Sequence, residues 1–208
     1  TSWSMAKSYY AALIGISIDR GEIGGLDDKV GDYLTYFNDE RSEITIRDLL
    51  DMSSGLDFPK DEHETMFFQE DHLKYAMGVG VEKSAGLKFE YNNVNSMLLG
   101  DILIATTGKK ADELLKERIL DPIGVTDYKL WKDENGNVLT YCCVDMSARD
   151  YSKIGLLFSR NGNWDGKQLI SKQYIDETFQ VVWDVTPERF TTLKRGYSLH
   201  WWVSAYED

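Results

Sequence analysis

Apolar residues along this chain occur in blocks whose spacing predicts helices more often than strands. The block from Met5 to Ile18 is apolar on nearly all sides, which predicts a helix buried in the middle of the protein rather than one on its surface. Gly21, Gly24 and Gly25 follow this block, and we expect them to end the helix.

Four later segments also space their apolar residues as a helix does. These segments are residues 44–55, 94–106, 109–120 and 148–158. Pro122 follows the third of them and prevents its continuation, because proline lacks the N–H that a helix interior needs.

The end of the chain follows a different pattern. From Gly196 to Tyr206, aromatic residues alternate with small or polar ones around Trp201 and Trp202. This alternation predicts one strand over about 196–206 with both faces partly covered. The whole pattern is therefore that of a mainly helical protein whose clearest strand lies near the end of the sequence.

Composition is that of an ordinary globular protein. With 208 residues, of which 42% are hydrophobic and 28% charged, the chain is long enough to bury about 70% of its unfolded surface in one core. It contains no internal repeat and no Gly/Ser/Pro linker, so we expect one domain over residues 1–208.

Charge and hydropathy narrow the class of partner. The formal net charge of −12 disfavours binding to nucleic acid phosphates or to an anionic membrane surface. No apolar run approaches the about 18 residues of a membrane span, and no leader pattern opens the sequence. We therefore expect no nucleic acid partner and no membrane span.

The two cysteines are neighbours, Cys142 and Cys143. Adjacent residues reach ordinary disulfide geometry with difficulty, and no zinc-binding spacing of Cys and His occurs. We expect two half-buried thiols and a fold that no disulfide staples together.

The first candidate for chemistry is the tetrad Ser4-Met5-Ala6-Lys7. On a helix, residues three apart share a face, with Cβ atoms about 5–6 Å apart, so the Lys7 amine can reach the Ser4 hydroxyl. Burial disfavours the charged form of a lysine, which makes a buried lysine a suitable base for a serine nucleophile. The tetrad is short and occurs by chance, so alone it also fits a solvated Ser and Lys at a helix start.

A second candidate is Glu90-Tyr91-Asn92-Asn93. A Tyr-x-Asn turn can place a phenol beside a nucleophile as acid or base, and an amide that binds the lysine or a substrate carbonyl. Tyr36-Phe37-Asn38 has the same form, but it lies in a polar loop and is expected to be surface structure.

Other conspicuous residues have plainer interpretations. His63 and His72 lie among acidic residues, yet no HExxH spacing occurs, so we expect a solvated acidic loop and no metal. Five tryptophans could line an acyl pocket, but core packing is the expectation for each. They are Trp131, Trp164, Trp183, Trp201 and Trp202.

Seven blocks along the chain resemble one family in order and content. They are SMAKS, GLDDKVGDYL, ITIRDLLDMSSGLDF, FEYNNVNSMLLGDIL, LKERILDPIGVTDY, SARDYSKIGLLFSRNGNWDGKQLIS and GYSLHWWV. Together they resemble the class C β-lactamase and esterase branch of the penicillin-recognising serine hydrolases. Through TYCCVDMSARDYSKIGLLFSRNGNW the chain is most similar to the 6-aminohexanoate-dimer hydrolase group.

The resemblance implies a fold and a chemistry. The fold is α/β of the α+β type: a helical lobe, about residues 20–145, packed on an antiparallel sheet as in β-lactamases and transpeptidases. The chemistry is acyl transfer without metal or cofactor, on a small amide or ester. By the match of motifs, Ser4 is the nucleophile, Lys7 and Tyr91 complete the catalytic set, and Asn93 binds substrate. The backbone N–H of Ser4 would form half of the oxyanion hole.

One element of the family's pattern is not found. No Lys-Thr-Gly or His-x-Gly strand follows: the triplet at His200 lacks the glycine, and Thr107-Gly108-Lys109 falls at a helix break. The family's strands before the Ser4 motif are not seen either. We therefore expect an incomplete sheet in this chain, association through its open strand edge, and poor turnover by the 208 residues alone.

Two functions of other classes stay open. One is a non-catalytic binding or sensor module on the same scaffold, which the missing motif favours and the retained Ser4, Lys7 and Tyr91 disfavour. The other is an N-terminal-nucleophile hydrolase using Thr1, disfavoured because a helix rather than a strand follows Thr1. The sequence does not choose among an esterase, a D-peptidase, a β-lactamase and an amide-oligomer hydrolase.

Overall fold

One helix occupies the centre of the protein. In α1 (Ala6–Asp19), every residue from Ala6 to Ser17 is buried, as expected of a helix without a polar face. It ends where predicted, since Gly21, with φ +70°, follows its C-cap in a left-handed conformation. The structure, a computed structural model, describes residues 1–58, 62–187 and 193–206.

Seven further helices pack around α1 in the described residues. They are α2 (Ile46–Leu50), α3 (Glu62–Phe67), α4 (His72–Gly78), α5 (Val94–Thr107), α6 (Ala111–Leu115), α7 (Ala148–Ser159) and α8 (Lys172–Thr178). A π-helical turn over Lys116–Leu120 continues α6. The predictions over 94–106, 109–120 and 148–158 are confirmed to within two residues.

The helix predicted over 44–55 is present, but its predicted C-terminal end is wrong. Thr45 and Asp48 form a capping box that begins α2, but the helix ends at Leu50 and Met52 takes a left-handed φ of +58°. Beyond it the chain runs through the interior, where the Ser54 hydroxyl donates to Asn95 Oδ1 at 2.7 Å. The Met52 carbonyl accepts from Glu90 N–H at 2.7 Å, so bonds to distant backbone and side chains replace the helical bonds there.

The strands are short and antiparallel, and they form three small sheets. They are β1 (Tyr128–Leu130), β2 (Val144–Met146), β3 (Asn163–Trp164), β4 (Lys167–Gln168), β5 (Trp183–Asp184), β6 (Leu193–Ser198) and β7 (Trp201–Tyr206). β1 pairs with β2, β3 pairs with β4, and the third sheet has the order β5-β6-β7. The predicted class, helices packed with an antiparallel sheet, is confirmed.

The single strand predicted over 196–206 is instead a hairpin. Leu199 and His200, with φ of +41° and +62°, form the turn between β6 and β7, which explains why the aromatic alternation passes through it unbroken. α2 fixes this turn: Leu199 N–H donates to Asp51 Oδ1 at 2.8 Å, and His200 N–H donates to the Leu50 carbonyl at 2.9 Å.

The outer edges of this sheet are β5 and β7. Among the strands that the structure describes, β7 pairs with β6 alone. Association through such an edge, as expected from the sequence, stays a prediction.

A glycine allows α1 and α8 to approach closely. A Cβ on Gly15 would lie 2.5 Å from Tyr174 Cδ1, and Tyr174 is held because its hydroxyl donates to the Ala11 carbonyl at 2.7 Å. By contrast, a Cβ on Gly155 in α7 would meet nothing within 4 Å.

We predict opposite effects of alanine at these two glycines. Gly15→Ala should lower the free energy of unfolding by about 1–3 kcal/mol, the usual cost of overpacking. Gly155→Ala should raise it by about 0.5–1 kcal/mol, because alanine is the better helix former. Urea denaturation of both variants measures the difference. Stabilisation by Gly15→Ala would contradict the packing of α8 on α1.

Candidate active site

Ser4 and Lys7 lie one turn apart at the start of the central helix. Ser4 is exposed in a 3₁₀ turn, Trp3–Met5, that leads directly into α1. Lys7 is on the first turn of α1 and is only 1% exposed. Its Nζ lies 3.2 Å from Ser4 Oγ. The structure thus brings together the serine and lysine that the motif predicts.

The Lys7 amine has two further partners from distant parts of the chain. It donates to Asn93 Oδ1 and to the backbone carbonyl of Tyr141, each at 2.8 Å. Burial lowers the pKa of Lys7 from its ordinary value to about 7, because water no longer stabilises the ammonium.

Tyr91 completes the group around the amine. Lys7 Nζ lies 4.8 Å from the centre of the Tyr91 ring. Burial raises the pKa of Tyr91, and a hydrogen bond with Ser4 opposes the rise. The phenol therefore contacts the hydroxyl that the sequence assigns as nucleophile.

The C-terminal hairpin holds Tyr91 in place. Trp202 of β7 stacks on its ring at 5.9 Å, and Tyr197 of β6 meets the ring edge-on at 6.1 Å. The hairpin is fixed to α1 as well as to α2, since the Ser8 hydroxyl donates to the His200 carbonyl at 2.9 Å. Trp202 is half-exposed, so core packing was the wrong expectation for this residue.

Two buried titratable groups, Asp51 and His200, lie where the β6–β7 turn packs against α1 and α2. Burial raises the pKa of Asp51 to about 6, against the hydrogen bond from Leu199. Burial, with the nearby charge of Lys7, lowers the pKa of His200 to about 3. The contact between the turn and the helices thus contains the neutral imidazole of His200 and the partly desolvated carboxyl of Asp51.

Asn93 reaches Lys7 from the start of α5. It is the N-cap residue of that helix, and its neighbour Asn92 accepts a hydrogen bond from Asn95 N–H at 2.9 Å. Because the helix end fixes this turn, the Asn93 side chain is directed toward Lys7. Asn93 thus binds the lysine amine, and the substrate-binding role that the resemblance implies for it stays a prediction.

The segment before β2 anchors the backbone around Ser4. Cys143 N–H donates to the Trp3 carbonyl at 3.2 Å, and Ser2 N–H donates to the Val144 carbonyl at 2.8 Å. Trp3 has a φ of +48°, an outlier for a bulky residue and a kind of strain that clusters at functional sites.

The two cysteines differ from expectation. The sulfur atoms of Cys142 and Cys143 lie against each other and both residues are buried, so the predicted half-burial is wrong. A bond between adjacent residues would close no chain loop, so it would still staple no distant parts of the fold together.

A cleft opens over Ser4. Its volume is about 530 Å³, within the usual range of small-molecule sites. Aromatic rings form most of its wall, and the Phe68 ring at its mouth is 79% exposed. The lining residues are Trp3, Ser4, Phe67, Phe68, Tyr91, Asn93, Tyr141 and Cys142.

Sequence reasoning missed several of these residues. Trp3, Phe67 and Phe68 carry no motif, and Tyr141 enters through its backbone carbonyl, which every residue type possesses. The block TYCCVDMSARD was the one available signal for Tyr141.

Tyr36 and His72, which the sequence analysis placed outside the site, have different outcomes. The Tyr36 hydroxyl donates to Asp101 Oδ2 at 2.8 Å, outside the site, as expected. His72 was expected to be solvated, and this is wrong: it is 3% exposed, because α4 begins at His72 and turns its ring inward. The side chain of His63 lies outside the described residues.

Within the described residues no group of three or more His, Cys, Asp or Glu side chains is close enough to hold a metal ion. None of the described helices combines the length and the apolar character that crossing a bilayer requires.

Comparison with known proteins agrees with the fold. The D-aminopeptidase of Brucella anthropi is 29% identical over 141 residues, which is 62% of this chain and 26% of that protein. Penicillin-binding protein 4 of Amycolatopsis lactamdurans is 30% identical over 130 residues, 60% of this chain and 34% of that protein. The chain therefore matches only about a quarter to a third of the length of these relatives.

A solved structure has the same arrangement of elements. A proposed 6-aminohexanoate-dimer hydrolase from Bacillus anthracis superposes with a TM-score of 0.84 at 21% identity, over 96% of this chain and 57% of that one. The β-lactamase and transpeptidase type of fold is thus confirmed. The Beta-lactamase family model matches residues 1–208, and this chain belongs to that family.

Proposed function

We propose that this chain is a serine hydrolase that acts through an acyl-enzyme on Ser4, with a small amide or ester as substrate. The observation that carries the proposal is the set of three partners around Lys7 Nζ. Two of them, Asn93 Oδ1 and the Tyr141 carbonyl, can only accept hydrogen bonds. Ser4 is the one partner with a proton to give.

This asymmetry assigns the direction of proton transfer. A neutral amine has two N–H groups and one lone pair. If the two N–H groups donate to Asn93 and Tyr141, the lone pair faces the Ser4 hydroxyl. With a pKa of about 7, Lys7 is neutral in a useful fraction of molecules near neutral pH. Lys7 is therefore the proposed general base.

The proposed reaction balances with the groups present. Ser4 Oγ attacks the substrate carbonyl carbon while its proton passes to Lys7. The C–N or C–O bond then breaks, and the proton returns to the leaving nitrogen or oxygen through the Tyr91 hydroxyl, which contacts Ser4. Water then cleaves the acyl-serine ester, with the proton passing in the reverse direction.

The oxyanion that forms during attack needs hydrogen-bond donors. The Ser4 N–H lies in the first turn of a helix, where N–H groups lack intrahelical partners. That position supports its proposed role as one donor of the oxyanion hole.

The relatives' names support amide or ester hydrolysis. Those named above include a D-aminopeptidase and a proposed 6-aminohexanoate-dimer hydrolase, and another neighbour is a family VIII carboxylesterase. Each acts at a carbonyl carbon, which is what the Ser4 arrangement would attack.

The alternative is a binding or sensor module that keeps the scaffold without turnover. The predicted lack of a third motif favours it. A complete Ser4, Lys7 and Tyr91 set around a cleft disfavours it, because a module that only binds does not need a desolvated lysine beside a serine.

The first prediction separates these two functions. A fluorescent alkyl fluorophosphonate should label the wild-type chain, and Ser4→Ala should abolish the label, because Ser4 is the serine whose hydroxyl lies beside the Lys7 amine. Ser2→Ala and Ser8→Ala should retain it. Mass spectrometry of the labelled peptide gives the position. An adduct on another serine, or on Thr1, would show that the nucleophile is misassigned.

The second prediction concerns the proton carriers. Lys7→Met and Tyr91→Phe should each slow acylation by about 10²-fold or more, the usual effect of removing a general acid or base. Tyr36→Phe is the matched control, since it removes a phenol that bonds to Asp101 outside the site. Stopped-flow release of nitrophenol from a nitrophenyl ester measures acylation. Equal losses at Tyr36 and Tyr91 would contradict the assignment.

The third prediction follows from the pKa of the base. Because the lowered pKa of Lys7 is about 7, the neutral fraction, and with it the acylation rate, should rise about tenfold per pH unit below pH 7 and level off above it. Rates of fluorophosphonate labelling between pH 5 and 9 test this. A rate that still rises steeply at pH 9 would mean that Lys7 keeps its ordinary pKa.

A further inference from the structure

A second polar pair lies behind the Lys7 amine. The Tyr141 hydroxyl and His72 Nδ1 are 3.0 Å apart, and each residue is only 3% exposed. Removing one member of such a buried pair leaves the other without a hydrogen-bond partner, which costs stability. The proposed reaction uses neither side chain, so the pair requires another explanation.

Tyr141 connects this pair to the base. Its carbonyl accepts the hydrogen bond from Lys7 Nζ at 2.8 Å, and its ring lies 5.6 Å from the same nitrogen. Tyr141 lies in a turn just before β2, where Cys142 N–H donates to the Leu139 carbonyl at 3.1 Å. No strand ladder fixes the direction of its carbonyl, so the side chain is a principal anchor of this residue.

His72 is itself held firmly. Its backbone N–H donates to Asp133 Oδ2 at 2.9 Å, and its ring lies beside that of Phe67 at 6.2 Å. Burial lowers the pKa of the His72 imidazole, which favours its neutral form. With the single proton of the neutral imidazole on Nε2, Nδ1 accepts the hydrogen bond from the Tyr141 hydroxyl.

We propose that His72 and Tyr141 are positioning residues for Lys7. Their hydrogen bond holds the Tyr141 carbonyl against the amine, and the amine lone pair is thereby kept on Ser4. This inference rests on the proposed function, because positioning a base matters only where Ser4 is acylated. Neither side chain is assigned a proton-transfer role.

Loss of the pair has a measurable consequence. When the pair is lost, the Tyr141 carbonyl can turn away from the Lys7 amine and water can take its place. The water accepts the hydrogen bond that the carbonyl accepted and also hydrates the amine, which favours its protonated form. Among the described residues, the other titratable groups facing Lys7 are Tyr91 and His200, and both are unchanged in the variants below. The pH at which acylation is half-maximal therefore moves upward.

The test is the pH profile of fluorophosphonate labelling in four variants. His72→Phe and Tyr141→Phe each remove one partner. His72→Asn keeps an acceptor near the position of Nδ1, and Tyr36→Phe is the remote control. We expect the midpoint to rise by about 0.5–1 pH unit in the first two, which is about 3- to 10-fold slower labelling below pH 7. His72→Asn and Tyr36→Phe should keep the wild-type midpoint.

A double variant guards against simple misfolding. His72→Phe with Tyr141→Phe removes both polar atoms of the pair, so neither is left buried without its partner, and the variant should melt cooperatively and still show the raised midpoint. Folded variants with an unchanged midpoint, or a raised midpoint in His72→Asn, would refute the positioning role. Absence of any label on the wild type would instead overturn the proposed function, and this inference with it.

Discussion

The structure depends on burying one lysine amine in the middle of a protein. α1 is apolar on every side, so its neighbours must cover it completely, and Lys7 lies on it. Covering the helix removes water from the amine, and removing water lowers its pKa to about 7. The packing that stabilises the fold is thus the same packing that suits Lys7 to its proposed role as a base.

Local pattern was sufficient for the elements nearest this helix. The even distribution of apolar residues predicted a buried α1, and helical geometry alone predicted contact between Ser4 and Lys7. Asn93 was predicted from a short turn motif and does bind the amine. These features depend on residues close in sequence or on a motif, which is why they could be read from the chain.

The misjudged features depend on contacts between distant residues. The turn at Leu199 and His200 exists because α2 supplies Asp51 and a backbone carbonyl to it, and nothing in the alternation of aromatic residues signals this. His72 was taken as solvated from its acidic neighbours, whereas α4 directs it at Tyr141. A backbone acceptor such as the Tyr141 carbonyl has no side-chain signature at all.

The partners of Lys7 lie far from it in sequence, and this distance determines when during folding the site forms. Asn93 and Tyr141 are 86 and 134 residues from Lys7, and contacts of such separation form only after long loops have closed. A nascent or partly folded chain can carry the serine and lysine on a formed helix, yet its amine remains hydrated and charged. If Ser4 is the nucleophile, as proposed, we expect it to become reactive only when folding has removed water from the Lys7 amine.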